Sequence, residues 1–173
     1  KLYNSLTKQK EELKTIEENV VKMYTCGPTV YYYPHIGNMR AYLFMDSLRR
    51  ILKYNGYKTL GVMNITDVGH LTSDEDDGDD KMEMAAKREN KSPYEIAAYY
   101  TNIFFDNLNK LNIDVPEHIT KATEYIEEMI NFVKILEEKG YTYILDDGVY
   151  FDVQKFNNYG MLSNNDLNSD KVA

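Results

Sequence analysis

The sequence predicts an α/β protein built on a parallel sheet that holds a ligand at the carboxyl ends of its strands, and three observations carry that expectation. An apolar run suited to a buried strand (Val20, Val21, Met23, Tyr24) opens into a glycine-containing loop and then into a segment with helical spacing. A second apolar run, Thr59 to Ile65, follows, so that strand, crossover helix and strand over residues 20–66 make a right-handed βαβ unit. The loop reads Cys26-Gly27-Pro28-Thr29-Val30-Tyr31-Tyr32-Tyr33-Pro34-His35-Ile36-Gly37-Asn38 and holds the chain's single cysteine. A strand that ends in such a loop and re-enters as a helix is where α/β proteins place a nucleotide phosphate.

Each element follows from local pattern. Phe44, Leu48, Ile51 and Leu52 recur at i, i+4, i+7 and i+8 and predict one apolar helix face, with Asn55-Gly56 as its stop signal. The second strand is interrupted by Gly61 and Asn64. Both strands end on one sheet edge, which brings Cys26-Gly27 beside Thr66-Asp67. An acidic loop runs from Ser73 to Asp80. Ile96, Ala97, Tyr100, Ile103, Phe104, Leu108 and Leu111 predict a second helix, and Pro116 punctuates. Ala122, Ile126, Met129, Ile130, Val133 and Leu136 predict a third, ended by Lys139-Gly140. Residues 141–145 and 149–153 flank Asp146-Asp147-Gly148, a two-strand hairpin signal. From Asn157 the chain reads as loop.

Composition bounds the function. A chain of 173 residues is long enough for one domain with a core, or one domain plus an insertion. No apolar stretch approaches the roughly 20 residues of a membrane helix, so no membrane partner is expected. One cysteine forms no internal disulfide, which makes a reducing, cytoplasmic setting the default. A net charge of −8 argues against a general nucleic-acid-binding surface while leaving room for a local basic groove. The chain begins at Lys1 and stops at Ala173 without a closing element, so a fragment is expected.

His35 and Asn38 fall at the first turn of the predicted helix, beside backbone N–H groups and the positive end of the helix dipole, where an imidazole and an amide can donate to phosphate oxygens. Gly37 lets a nucleotide approach the backbone. The plainer reading makes Asn38 an N-cap and His35 a loop residue; the strand–loop–helix context favours the phosphate reading. Cys26 alone is a weak metal signal, since zinc takes three or four protein ligands and no partner lies at metal spacing; its place on the ligand-binding edge raises its interest. The acidic run fails as a calcium loop, because Gly78 at the sixth position puts Met84 where a bidentate Glu is required. His70 and His118 are assigned no role, and Tyr31 to Tyr33 are placed to line a nucleotide pocket.

Taken in order, Leu2 to Thr7, Met23 to Tyr31, His35-Ile36-Gly37-Asn38, Asn64-Ile65-Thr66-Asp67-Val68 and Tyr159-Gly160-Met161-Leu162-Ser163 resemble the class I aminoacyl-tRNA synthetases, and among them the cysteinyl-tRNA synthetase family. The resemblance covers essentially the whole chain but only the family's N-terminal part. It implies a Rossmann-like (HUP-type) nucleotide-binding domain, with its first half at residues 1–115, including an acidic loop at 69–80, and the start of a helix-and-hairpin connective insertion at 116–173. The second half of that domain and the anticodon-binding domain would lie outside this sequence.

The implied activity joins cysteine to ATP as cysteinyl-adenylate and passes the cysteinyl group to tRNA(Cys), in a cytoplasmic monomer. The segment Pro28 to Asn38 corresponds to the HIGH signature, with Asn38 in place of the final His. Pro28, His35, Ile36, Gly37 and Asn38 would bind ATP (with Mg²⁺), and His35 and Asn38 would be catalytic. Gly27, Thr29 and Thr66 would shape the pocket for L-cysteine. Cys26 would be one of four Zn²⁺ ligands, the other three lying past Ala173 together with the KMSKS loop. A cysteine ligase of mycothiol synthesis, acting on an amino sugar, stays open as an alternative. So do a small nucleotidyltransferase, disfavoured by the helix and hairpin after residue 115, and a non-enzymatic acidic binding module.

Overall fold

The computed structural model describes residues 1–69 and 80–163, so most of the acidic stretch, His70 and the polar tail past Ser163 lie outside the described residues. The chain divides into two units, one formed by Thr15–Tyr125 and the other by Lys1–Lys14 together with Ile126–Ala173. The first 14 residues form an antiparallel hairpin of β1 (Leu2–Asn4) and β2 (Gln9–Glu11), with Leu2 opposite Glu11 and Lys8 in the left-handed region at φ 56°.

The unit Thr15–Tyr125 contains the expected βαβ arrangement. Strand β3 (Val20–Thr25) leads through the loop to α1 (Ile36–Tyr54) and on to β4 (Lys58–Ile65). β3 and β4 run parallel, with Val20 opposite Lys58 and Thr25 opposite Met63. β4 buries alternate residues, Thr59, Gly61, Met63 and Ile65, as a strand with one face turned to the core should. Its other neighbour is β5 (His118–Lys121), also parallel, with Val62 opposite His118. The sheet order is therefore β3-β4-β5. Four residues reading His-Ile-Thr-Lys are too few and too polar to announce a strand, and pairing with β4 makes them one. Glu117 extends the pairing by side chain: its carboxylate accepts from the Gly61 N–H at 2.6 Å and the Thr59 hydroxyl at 3.3 Å.

Helix α2 (Lys81–Glu89) falls where no helix is expected, and α3 (Pro93–Lys110) covers the expected second one. α2 is short and largely charged, but Met82, Ala85 and Ala86 at i, i+3 and i+4 are buried and Asp80 caps its start by accepting from the Met82 and Glu83 N–H groups. It ends at Asn90, which is left-handed at φ 53°. α3 opens with Pro93 behind a capping box of Ser92 and Glu95, then buries Ile96, Ala97, Tyr100, Phe104 and Leu108. Those side chains share a core with Val30, Met39, Tyr42, Met63, Ile65 and Met82.

α1 departs from the expected face. Its buried residues are Met39, Tyr42, Asp46, Arg49 and Leu52, whereas Phe44 is 67% and Ile51 59% exposed. The buried stripe carries an ion pair that hydropathy reads as polar. Arg49 Nη2 donates to Asp46 Oδ1 at 3.1 Å and also to the Asp114 carbonyl; Arg50 Nε donates to Asp46 Oδ2 at 2.7 Å and Arg50 Nη2 to the Asn112 carbonyl at 2.7 Å. These bonds tie α1 to the segment that follows α3.

After a 3₁₀ turn at Ala122–Tyr125, α4 (Ile126–Glu138) matches the third expected helix except that Ala122 lies outside it; none of its residues is buried. Gly140, at φ 74°, ends the run. β6 (Thr142–Leu145) and β7 (Gly148–Phe151) form the expected hairpin, with Leu145 opposite Gly148. Asp146 and Asp147 alone make the turn, and Gly148 begins the second strand. Tyr143 and Tyr150 sit opposite one another with stacked rings 5.5 Å apart.

Candidate active site

The loop after β3 does not leave the sheet at Thr25. It continues alongside the end of β4: the Thr66 N–H donates to the Pro28 carbonyl at 2.9 Å, the Val30 N–H donates to the Thr66 carbonyl at 3.2 Å, and Thr29 forms a parallel bridge with Thr66. The expected meeting of the Cys26-Gly27 loop with Thr66-Asp67 is thus made by backbone hydrogen bonds. Asn64, a polar residue in a buried strand, organises the junction. Its Oδ1 accepts from the Gly27 N–H at 2.8 Å and from the Tyr24 hydroxyl at 2.8 Å, and its Nδ2 donates to Thr66 Oγ1 at 3.0 Å. The Thr66 hydroxyl accepts this bond and keeps its own proton to donate. By sequence alone Asn64 is only a weakness in the strand, yet an amide in the middle of an apolar run is a signal that a polar junction sits there.

Gly27 is required by close approach. A Cβ there would stand 1.6 Å from the Asn64 carbonyl oxygen. At Gly37 a Cβ would stand 2.9 Å from His35 Cε1, so that glycine also makes room for the imidazole.

His35, rather than Asn38, is the N-cap of α1. Its Nδ1 accepts from the Gly37 N–H at 3.1 Å and the Asn38 N–H at 3.4 Å, while Asn38 Oδ1 accepts from the His35 N–H at 3.0 Å. This reciprocal capping box has two chemical results. In the neutral imidazole an accepting Nδ1 puts the proton on Nε2, and Asn38 keeps its Nδ2 donors, so each side chain retains an N–H for a ligand. It also takes up backbone donors of the first turn: Gly37 and Asn38 bind His35, the Met39 N–H binds the His35 carbonyl, and Ile36 alone of these has no partner among the described residues.

A cavity of about 300 Å³ opens between this loop and the cores of α1 and α3. Gly27, Pro28, Thr29, His35 and Asn38 line it, as do Tyr31 to Tyr33, joined by Tyr42, Lys81, Tyr100 and Phe104. Ile36, Gly37, Thr66 and Cys26 do not; the Ile36 side chain is 89% exposed. Tyr42 packs edge-on against Phe104 at 4.9 Å, and burial, with a smaller contribution from the nearby Cys26 thiol, pushes its phenol up to about 12. Burial, aided by the hydrogen bond to Glu89, likewise pushes Tyr100 up to about 12. Both phenols therefore stay protonated at neutral pH. Donation by Tyr100 and then by Arg88 holds Glu89 down at about 2, and Arg88 lies 4.8 Å over the Tyr32 ring.

Cys26 is exposed, and its Sγ donates a hydrogen bond to the Gly27 carbonyl at 3.7 Å. A free thiol at the sheet edge fits one ligand position of a soft metal ion. Among the described residues no three His, Cys, Asp or Glu side chains gather where they could hold a metal ion. Asp67 accepts from the Thr123 N–H at 2.9 Å and the Thr123 hydroxyl at 2.6 Å, which occupies it structurally.

A parallel sheet whose first strand runs through a loop into a capped helix, with a cavity against that loop, is the architecture of the α/β proteins that bind ligands at the carboxyl edge of the sheet. The family model described as tRNA synthetases class I (C) catalytic domain matches residues 12–172, and the chain belongs to that family. Curated relatives carry the name cysteine–tRNA ligase. One from Zymomonas mobilis is 50% identical over 93% of this chain and 31% of its own length; one from Treponema denticola is 48% identical over 100% and 35%. One from Pyrococcus horikoshii is 45% identical over 94% and 32%. The chain spans about a third of the length of these relatives.

Proposed function

We propose that the protein activates cysteine with ATP to cysteinyl-adenylate and transfers it to tRNA(Cys), with the described cavity as the ATP half of the site. The observation that carries this is the shared capping box of His35 and Asn38 at the cavity wall, which leaves Nε2–H and Nδ2–H as directed donors. In adenylate formation the amino-acid carboxylate attacks the α-phosphorus, and catalysis is mostly positioning and charge stabilisation. His35 and Asn38 donate to phosphate oxygens, Pro28 and Thr29 shape the cavity floor, and Gly37 lets the cap form. Thr66, with its free hydroxyl proton, and Gly27 frame the cysteine. The name of the relatives, cysteine–tRNA ligase, favours tRNA over an amino sugar as acceptor.

Cys26 is proposed as one ligand of Zn²⁺, whose affinity for thiolate would supply selection for cysteine over serine. Mg²⁺ accompanies ATP. On this reading residues 1–115 begin the catalytic domain and 116–173 begin the connective insertion. Among the described residues no helix is long and apolar enough to cross a membrane; a monomer in the cytoplasm is the proposed state.

The test is cysteine-dependent ATP–pyrophosphate exchange by the gene's full product. Wild type is expected to exchange with cysteine and not serine. His35→Ala is expected to lose about 100-fold or more in kcat, by removal of one transition-state donor. Exchange that ignores cysteine, or a His35→Ala variant with wild-type kcat, would overturn the assignment. Metal analysis of the same preparation, with and without Cys26→Ser, checks the zinc ligand.

A further inference from the structure

We propose that Lys81 is a further catalytic residue, a cation that contacts the phosphate chain of ATP from the wall of the same cavity; this rests on the ATP-binding reading above. The described part of the cavity wall carries little positive charge. A free helix N-terminus stabilises phosphate with unpaired N–H groups. Here the His35 imidazole has already taken those of Gly37 and Asn38. The retained donors of His35 and Asn38 are neutral, and a polyanion in a partly enclosed cavity requires a counter-charge.

Among the described residues Lys81 is the only Lys or Arg that lines that cavity, and no Asp or Glu of the described residues lines it. It is half-buried, and no carboxylate of the described residues forms an ion pair with it. Its Nζ lies 5.6 Å from the centroid of the Tyr31 ring, on the loop that leads to His35. That distance is within cation–π range, an attraction weak enough to yield to a phosphate. The backbone under it is firmly set. Lys81 is the first residue of α2, Asp80 caps the helix, and the next residue, Met82, is 2% exposed in the core.

In the reaction a carboxylate oxygen of the amino acid forms a bond to the α-phosphorus. The bond from that phosphorus to the bridging oxygen breaks, and its electron pair leaves on pyrophosphate. The Lys81 ammonium, which does not transfer a proton in this step, offsets the charge that gathers on the departing group.

Lys81→Met and Lys81→Arg in the gene's full product, assayed by cysteine-dependent exchange, test the proposal. Lys81→Met is expected to lower kcat/KM for ATP about 100-fold, as removal of a transition-state donor does, with KM for cysteine and the melting temperature unchanged. Lys81→Arg is expected to restore most of it. Calorimetric titration with Mg·ATP is expected to show weaker binding by Lys81→Met. Wild-type kcat/KM for ATP in Lys81→Met would overturn the proposal. So would a Lys81→Arg variant as impaired as Lys81→Met, with lowered melting temperature and raised KM for cysteine, since Lys81 would then serve only to cover Tyr31. If wild type binds Mg·ATP but shows no cysteine dependence, the synthetase reading fails while the titration still decides Lys81: undiminished ATP binding by Lys81→Met overturns it.

Discussion

Gly27 and His35 show how single residues set this site. At Gly27 the chain passes so close to β4 that only a hydrogen atom fits beside the Asn64 carbonyl, and that contact holds the loop on the sheet edge. Gly27→Ala is therefore expected to destabilise the gene's full product by about 3 kcal/mol, near the upper range for overpacking, read as a lower urea midpoint. An unchanged midpoint would show that the loop does not lie on β4. His35 works differently, since one ring both starts a helix and presents a donor. Its cap is worth about 0.5–2 kcal/mol. A His35→Ala variant thus loses a little stability and much activity, and the two readouts separate its roles.

At the scale of elements, the α1 helix is held by charge as well as by apolar contact. Asp46 and Arg49 are 3% and 4% exposed, and Asp46 also receives Arg50 and the Asp114 N–H. Removing one partner of a buried pair leaves the other charge uncompensated. Asp46→Ala is expected to cost about 3–5 kcal/mol in chemical denaturation, several times the loss expected for exposed Phe44→Ala on the opposite face. Equal losses would mean that the hydropathy pattern, and not the ion pair, reports the buried side. α2 teaches the complementary lesson: nine residues with three buried side chains hold their place because Asp80 caps one end and α3 covers the apolar side.

For the molecule as a whole, pH is a direct probe of the core around the cavity. Glu89 ionises at about 2 when folded, against an ordinary 4.5, so its contribution is fully present above 4.5 and is lost as pH falls towards 2. Melting temperatures from pH 7 to 2.5 are expected to show Glu89→Gln below wild type above pH 5, with the two curves converging in acid. Parallel curves would mean that Tyr100 and Arg88 do not hold the carboxylate. At the alkaline end, Tyr100 ionises at about 12 instead of 10, so its contribution is lost between those values. The βαβ unit, the α3 stripe and the hairpin were legible in the sequence because period, caps and turn residues are local signals, read within a dozen positions. The motif loop was legible too, down to His35 and Asn38. What only the tertiary structure decided were β5, the buried face of α1, the identity of the N-cap, and the arrival of Lys81 and Tyr100 at the cavity. Three of these depend on partners far along the chain: β4 turns the largely polar His118–Lys121 into a strand, the Asp114 carbonyl joins Asp46 in making Arg49 buriable, and the packing of α2 and α3 carries a lysine to a loop fifty residues before it. The N-cap is local, but only geometry decides which side chain accepts from the first turn.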